Sequence, residues 1–157
     1  MTMLQNANAI SAGGYDINNS LRFRSSASAY LSRTPASAGN RKTWTWSAWV
    51  KRGTLGSFQT LFCAGPSDAV SPFETRFRFN DTDTLSLAIN GNGATGGSAT
   101  TSAVFRDPSA WYHIVGYVDM AATGQANKVR IYVNGVLQTD TYTSLTTTDD
   151  TQVNNNV

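Results

Sequence analysis

Five residues ahead of an Asn-Gly pair alternate without exception: Val129, Ile131 and Val133 are apolar, Arg130 and Tyr132 are not, and Asn134-Gly135 follows. A period of two puts successive side chains on opposite faces of a β-strand, and Asn-Gly tolerates the two positive φ angles of a type I′ turn. The segment therefore predicts a hairpin with one face in a core, the chain returning over Val136–Tyr142. The same period recurs elsewhere. From Ser20, Leu21 and Phe23 alternate with Arg22 and Arg24. In Thr43–Lys51, Trp44, Trp46, Ala48 and Val50 share one face, while Thr45, Ser47, Trp49 and Lys51 share the other. Phe77 and Phe79 alternate with Arg76 and Arg78 over Glu74–Phe79; Leu85, Leu87 and Ile89 form a further row, and Tyr112, Ile114, Gly116 and Val118 another.

The remaining segments fit between such strands. Ala29–Ser32 predicts a short strand, and Thr34–Lys42, with Pro35, Gly39 and Asn40, a loop. Phe58–Ala64 is apolar enough to predict a central strand, and Thr100–Phe105 has strand character. Asp81–Asp83 and Asp107-Pro108-Ser109 read as turns, Asn90–Ser98 as a glycine-rich loop, and Ala121–Ala126 as a loop or one helical turn. Thr, Ser, Asn and Gly dominate the polar positions and Glu74 is the only glutamate, a composition suited to strands and tight turns rather than helices. Some nine or ten strands predict an all-β fold, an antiparallel two-sheet sandwich or jelly roll.

Length and charge bound the rest. At 157 residues the chain predicts one domain with one core. Its single cysteine, Cys63, excludes an internal disulfide framework and a Cys-rich zinc site. No apolar run approaches the 18 residues of a membrane-spanning helix, and residues 1–21 hold no Lys or Arg, so neither a membrane partner nor a secretory signal is expected. A formal net charge of +2 predicts no nucleic-acid partner. The charge is unevenly placed, however: residues 1–52 carry seven bases and one acid (+6), and residues 53–157 five bases and nine acids (−4). Residues 1–18 lack periodicity and read as an extended arm, a candidate anchor to another structural protein. Residues 19–148 read as the domain and 149–157 as a polar tail.

Four pieces, in order, carry a family resemblance: Asn19-Ser20-Leu21-Arg22-Phe23, Trp44–Lys51, Trp111–Asp119 and Arg130–Val136. Together they resemble laminin-G-like, concanavalin A-like jelly-roll domains. Leu31–Arg52 is especially similar to such proteins of tailed bacteriophages. The resemblance implies a jelly roll and a virion localisation, as a fibre, decoration or accessory protein whose partners are other virion proteins and further copies of itself. It implies no reaction. Family members continue into a final strand closing one sheet, for which Thr148–Val157 is too polar. Either the sequence is a fragment, or another segment or subunit completes the sheet.

The same fold includes retaining β-glucanases, which need two carboxylates about 5 Å apart. Their Glu-x-Asp-x-x-Glu pattern has no counterpart around Glu74, so no enzyme is expected. His113 is the only histidine, and the plainer reading is an imidazole packed between sheet neighbours. Gly91-Asn92-Gly93-Ala94-Thr95-Gly96 matches a dinucleotide-binding pattern, but strand-favouring residues follow instead of a helix. No cofactor is expected. Calcium is the alternative the resemblance implies, with Asp81, Asp83, Asp119, Asp149 and Asp150 as oxygen ligands in no dedicated loop. The main alternative to assembly is a lectin-like module. Trp49, Trp111 and Tyr142 are its candidate stacking residues for a host-surface glycan, and Asn90 and Asn92 its polar loop contacts. Arg22, Arg24, Arg76 and Arg78 are candidates for docking a neighbouring subunit through bidentate carboxylate contacts.

Overall fold

The structure, a computed structural model, describes residues 19–65, 74–89, 96–143, 145 and 150–156. The chain divides into two units, Met1–Arg33 and Thr34–Val157. In the first, the described residues form no strand: a single 3-10 turn spans Ser25–Ala27. The strands expected at Leu21–Arg24 and Ala29–Ser32 are therefore absent. Ser28, left-handed at φ 47°, turns the chain just before the second of those segments.

In the second unit the alternation read from sequence becomes ladders. Strand β1 (Thr43–Lys51) buries Trp44, half-buries Trp46, Ala48 and Val50, and exposes the intervening residues. The remaining strands are β2 (Gln59–Ala64), β3 (Thr75–Phe79), β4 (Thr84–Ile89), β5 (Gly97–Val104), β6 (Trp111–Asp119), β7 (Val129–Val133), β8 (Val136–Leu137) and β9 (Asp140–Thr143). One helical turn, α1 (Gln125–Lys128), precedes β7. The strands form two antiparallel sheets, ordered β1-β6-β7-β8 and β2-β3-β4-β5-β9. Asn134 and Gly135 adopt φ 51° and 80°, as the hairpin between β7 and β8 requires.

Two expectations change here. The apolar segment ending at Ala64 forms β2, an edge strand rather than a central one. Val136–Tyr142 is not one strand either: β8 stops after two residues, and the chain crosses to the other sheet as β9.

The inner faces meet over Phe77, Leu85, Leu87, Ile114, Val118 and Ile131, all fully buried. Trp46 packs its edge against Phe77, ring centroids 5.4 Å apart. Gly116 of β6 lies under that ring: a Cβ there would meet Phe77 Cε1 at 2.9 Å.

Arg52, one residue past β1, joins the sheets. Its guanidinium is wholly buried and donates to Asp83 at 2.8 Å, in the β3–β4 turn, and to the Phe105 carbonyl at 2.6 Å. It lies 4.4 Å from the centre of the Phe79 ring. The tail docks through its polar groups. Thr151, fully buried, donates its hydroxyl to the Arg41 carbonyl and accepts the Trp44 indole N–H at 3.0 Å. Its neighbour Gln152 donates its N–H to Thr75 Oγ1. The described tail forms no strand, yet Thr151, Gln152 and Val153 are buried.

Candidate functional site

The outer face of the four-stranded sheet holds the site. Because Trp44 and Trp46 point inward, Trp49 must point outward, and 53 % of it stays exposed. The β1–β6 register sets Trp49 opposite His113 and Lys51 opposite Trp111, and cross-strand partners share a face. Trp111 is 50 % exposed. Trp49 and His113 lie ring against ring, centroids 5.0 Å apart and planes 33° apart. On the other side of β6, the two-residue turn places Asn134 beside His113. Asn134 Oδ1 accepts the His113 N–H at 2.9 Å, and the His113 carbonyl accepts the Asn134 N–H at 2.8 Å. His113 Nε2 lies 3.0 Å from Ser47 Oγ.

Together Trp49, Trp111, His113, Asn134 and Gly135 line an open concavity of about 540 Å³. Its walls are aromatic and its polar atoms few, the make-up of a surface that takes an amphipathic ring against an indole. No carboxylate lines it among the described residues.

The structure sorts the candidates read from sequence. It brings Trp49 and Trp111 together. Tyr142 lies elsewhere, on β9 opposite the buried Ala99, and packs against the core. Burial, and then the nearby Asp140 carboxylate, push the Tyr142 phenol above its usual range. Asn90 and Asn92 lie outside the described residues. His113 and Asn134 are the site residues sequence reasoning did not select. The Asn-Gly turn marked Asn134 as the end of β7, but the β6–β7 register that sets it beside His113 is not encoded in the turn.

The arginine stripe does not form as expected. Arg22 and Arg24 belong to no strand, so they do not project from one. Arg76 and Arg78 do face outward on β3, but both have local partners. Arg76 pairs with Glu74 at 2.6 Å; Arg78 donates to Asn80 and covers the Phe58 ring at 4.1 Å. Cys63, exposed on β2, lies 3.4 Å from Glu74; partial burial of its sulfur first, then that carboxyl, push its thiol above the usual range.

The calcium candidates are also dispersed. Among the described residues no three His, Cys, Asp or Glu side chains converge. Asp83 was read as part of a solvated turn, and it is buried instead. It accepts the Gly56 N–H at 2.9 Å, Arg52 at 2.8 Å and Arg106 at 3.0 Å. The Gly56 bond, with the two guanidinium bonds, lowers its pKa to about 2. Two guanidinium cations already neutralise this carboxylate, which leaves little charge to attract a third cation. Asp119 accepts from the Ala121 N–H, Asp150 pairs with Arg41, Asp81 is exposed, and Asp149 lies outside the described residues.

Comparison with known proteins adds a family. Among curated proteins and solved structures, nothing matches the chain significantly. A laminin-G family model described as "Concanavalin A-like lectin/glucanases superfamily" matches residues 24–157, spanning all nine strands of the described residues. With two antiparallel sheets stacked over that span, the chain belongs to the concanavalin A-like lectin/glucanase superfamily.

Proposed function

We propose that this chain is a non-catalytic carbohydrate-binding module whose site is the Trp49–Trp111 concavity. The carrying observation is the pair of half-exposed indoles held on adjacent strands of a rigid sheet. A pyranose presents an apolar C–H face that stacks on indole, and Asn134 and His113 supply hydrogen-bonding atoms at the wall. Family membership supports the same class of ligand. The absence of a carboxylate from the described lining supports binding without hydrolysis, since glycosidic cleavage needs two such groups. No metal or cofactor is part of the proposal.

Titration calorimetry on saccharides selected from a glycan array tests this reading. Trp49→Ala and Trp111→Ala are each expected to weaken binding at least tenfold with little change in melting temperature, because both indoles are half in solvent. Absence of any glycan ligand, or binding indifferent to both substitutions, overturns it.

The setting we propose is a virion, with the module carried in several copies among other virion proteins and gripping host-surface glycans by avidity. The similarity of Leu31–Arg52 to laminin-G-like phage proteins supports that setting. Detection of the chain in purified particles by mass spectrometry tests it.

A further inference from the structure

We infer that the saccharide bound at this concavity carries an anionic substituent, and that Lys51 recognises it. The inference rests on the carbohydrate-binding reading and narrows it to one chemical class.

Charge around the site points one way. Lys51 follows Trp49 by two residues on the same outer face and stands opposite Trp111 in the register, so its position is between the two indoles. It is exposed, and no described carboxylate lies within ion-pair distance of its ammonium. Lys51 adjoins the lining without being part of it; the one ionisable side chain in the described lining is His113, and an imidazole adds no negative charge. Acidic groups on nearby described segments lie outside the lining. Asp107, in the turn before β6, accepts the Ser109 N–H at 2.7 Å. Asp119 stands at the far end of β6, about 27 Å along the strand from Trp111. Arg130, the next base on this face, covers Tyr117 and donates to Asn127 and the Ala126 carbonyl.

A sugar ring stacked on Trp49 or Trp111 therefore has a lysine at the adjoining position of the same face and no carboxylate in the described lining. A neutral sugar leaves that ammonium in water. A uronate, sialate or sulfated sugar brings it a counter-charge, and the indole beside it limits solvent screening. A carboxylate and a sulfate offer the same complementarity, so the inference names the anionic saccharide and not one acid.

The test is a set of matched pairs: oligouronates against their carboxyl-reduced counterparts, and sulfated oligosaccharides against their desulfated ones. Wild-type protein, Lys51→Gln and Trp49→Ala are each measured by calorimetry at low and at near-molar salt. The anionic member of at least one pair series is expected to bind wild-type protein roughly fivefold or more tightly than its neutral match. That ratio should collapse towards one in Lys51→Gln and shrink at high salt, and which series shows it identifies the acid. Equal affinity within every pair, or a ratio that survives Lys51→Gln, overturns the inference and leaves the carbohydrate reading standing. If no saccharide binds wild-type protein above the level of Trp49→Ala, the carbohydrate reading falls, and the inference with it.

Discussion

Gly116 sits mid-strand in β6, where a β-branched residue would suit the ladder better, and its reason is the Phe77 ring on the facing sheet. A methyl group at 2.9 Å from Phe77 Cε1 and 3.2 Å from Leu87 Cδ2 has to move one of two fully buried side chains. Gly116→Ala is therefore expected to cost roughly 1–3 kcal/mol, as overpacking of a filled core does. Urea titration checks it: the midpoint falls while the slope stays fixed. Phe77→Leu in the same chain should recover part of the loss, because the leucine leaves room where the ring edge was. A double mutant no better than the sum of the singles would mean the glycine is there for its backbone alone. At this scale sequence reading succeeded in one direction only. It assigned Gly116 to the inner face, but the residue 39 positions away that makes glycine necessary is visible only once the sheets are stacked. Asp83 was missed for the same reason. A turn aspartate reads as solvated until Arg52, 31 residues earlier, closes over it.

Among elements, the β7–β8 hairpin was the most legible, and its turn also lines the concavity. Gly135 has φ 80° and open space where a Cβ would stand, so its requirement is for backbone conformation and not for room. Gly135→Ala is expected to destabilise the protein by about 1 kcal/mol. It should also weaken saccharide binding, since the turn holds Asn134 against His113. Thermal melts and calorimetry read the two effects separately, and D-alanine introduced at 135 by semisynthesis should restore both. Failure of D-alanine to restore them would assign the effect to a contact rather than to φ. β1 and β7 were read correctly because their two faces differ sharply in polarity, and burial of one face is what alternation encodes. Alternation does not encode a hydrogen-bonding partner. Leu21–Arg24 alternates as well as β7 does, yet the described structure gives its backbone no ladder. Nor does composition mark an edge: β2 is as apolar as an inner strand because one of its faces still covers the core.

Across the whole molecule, two carboxyls at the joins between the sheets set opposite responses to pH. Asp83 ties the end of β1 to the β3–β4 turn and has its pKa lowered to about 2. Unfolded, it takes up a proton near the ordinary aspartate value, so its contribution is present above that value and is lost as pH falls towards 2. Asp140 begins β9, where the chain crosses from one sheet to the other. Both its oxygens are buried with no well-formed hydrogen bond among the described residues, and burial, only partly offset by the nearby Ile131 backbone and Tyr142 hydroxyl, raises its pKa to about 6. Here the folded state holds the proton more tightly than the unfolded one. Stability is then greatest below the ordinary aspartate value and falls as pH rises through 6, by roughly 1–2 kcal/mol because water still screens a half-buried site. The two windows meet near pH 4, so the combined contribution of these two carboxyls is greatest there. Asp140→Asn removes the neutral-side loss. It should raise the melting temperature at pH 7, flatten the profile between pH 4 and 7, and leave the acid limb unchanged. Asp83→Asn should do the reverse: a large fall at pH 7 and a flattened acid limb. Saccharide binding offers an internal control for Asp140→Asn, because Asp140 lies outside the concavity and the affinity should not change. A profile that keeps its neutral-side slope in Asp140→Asn would place the titrating group elsewhere.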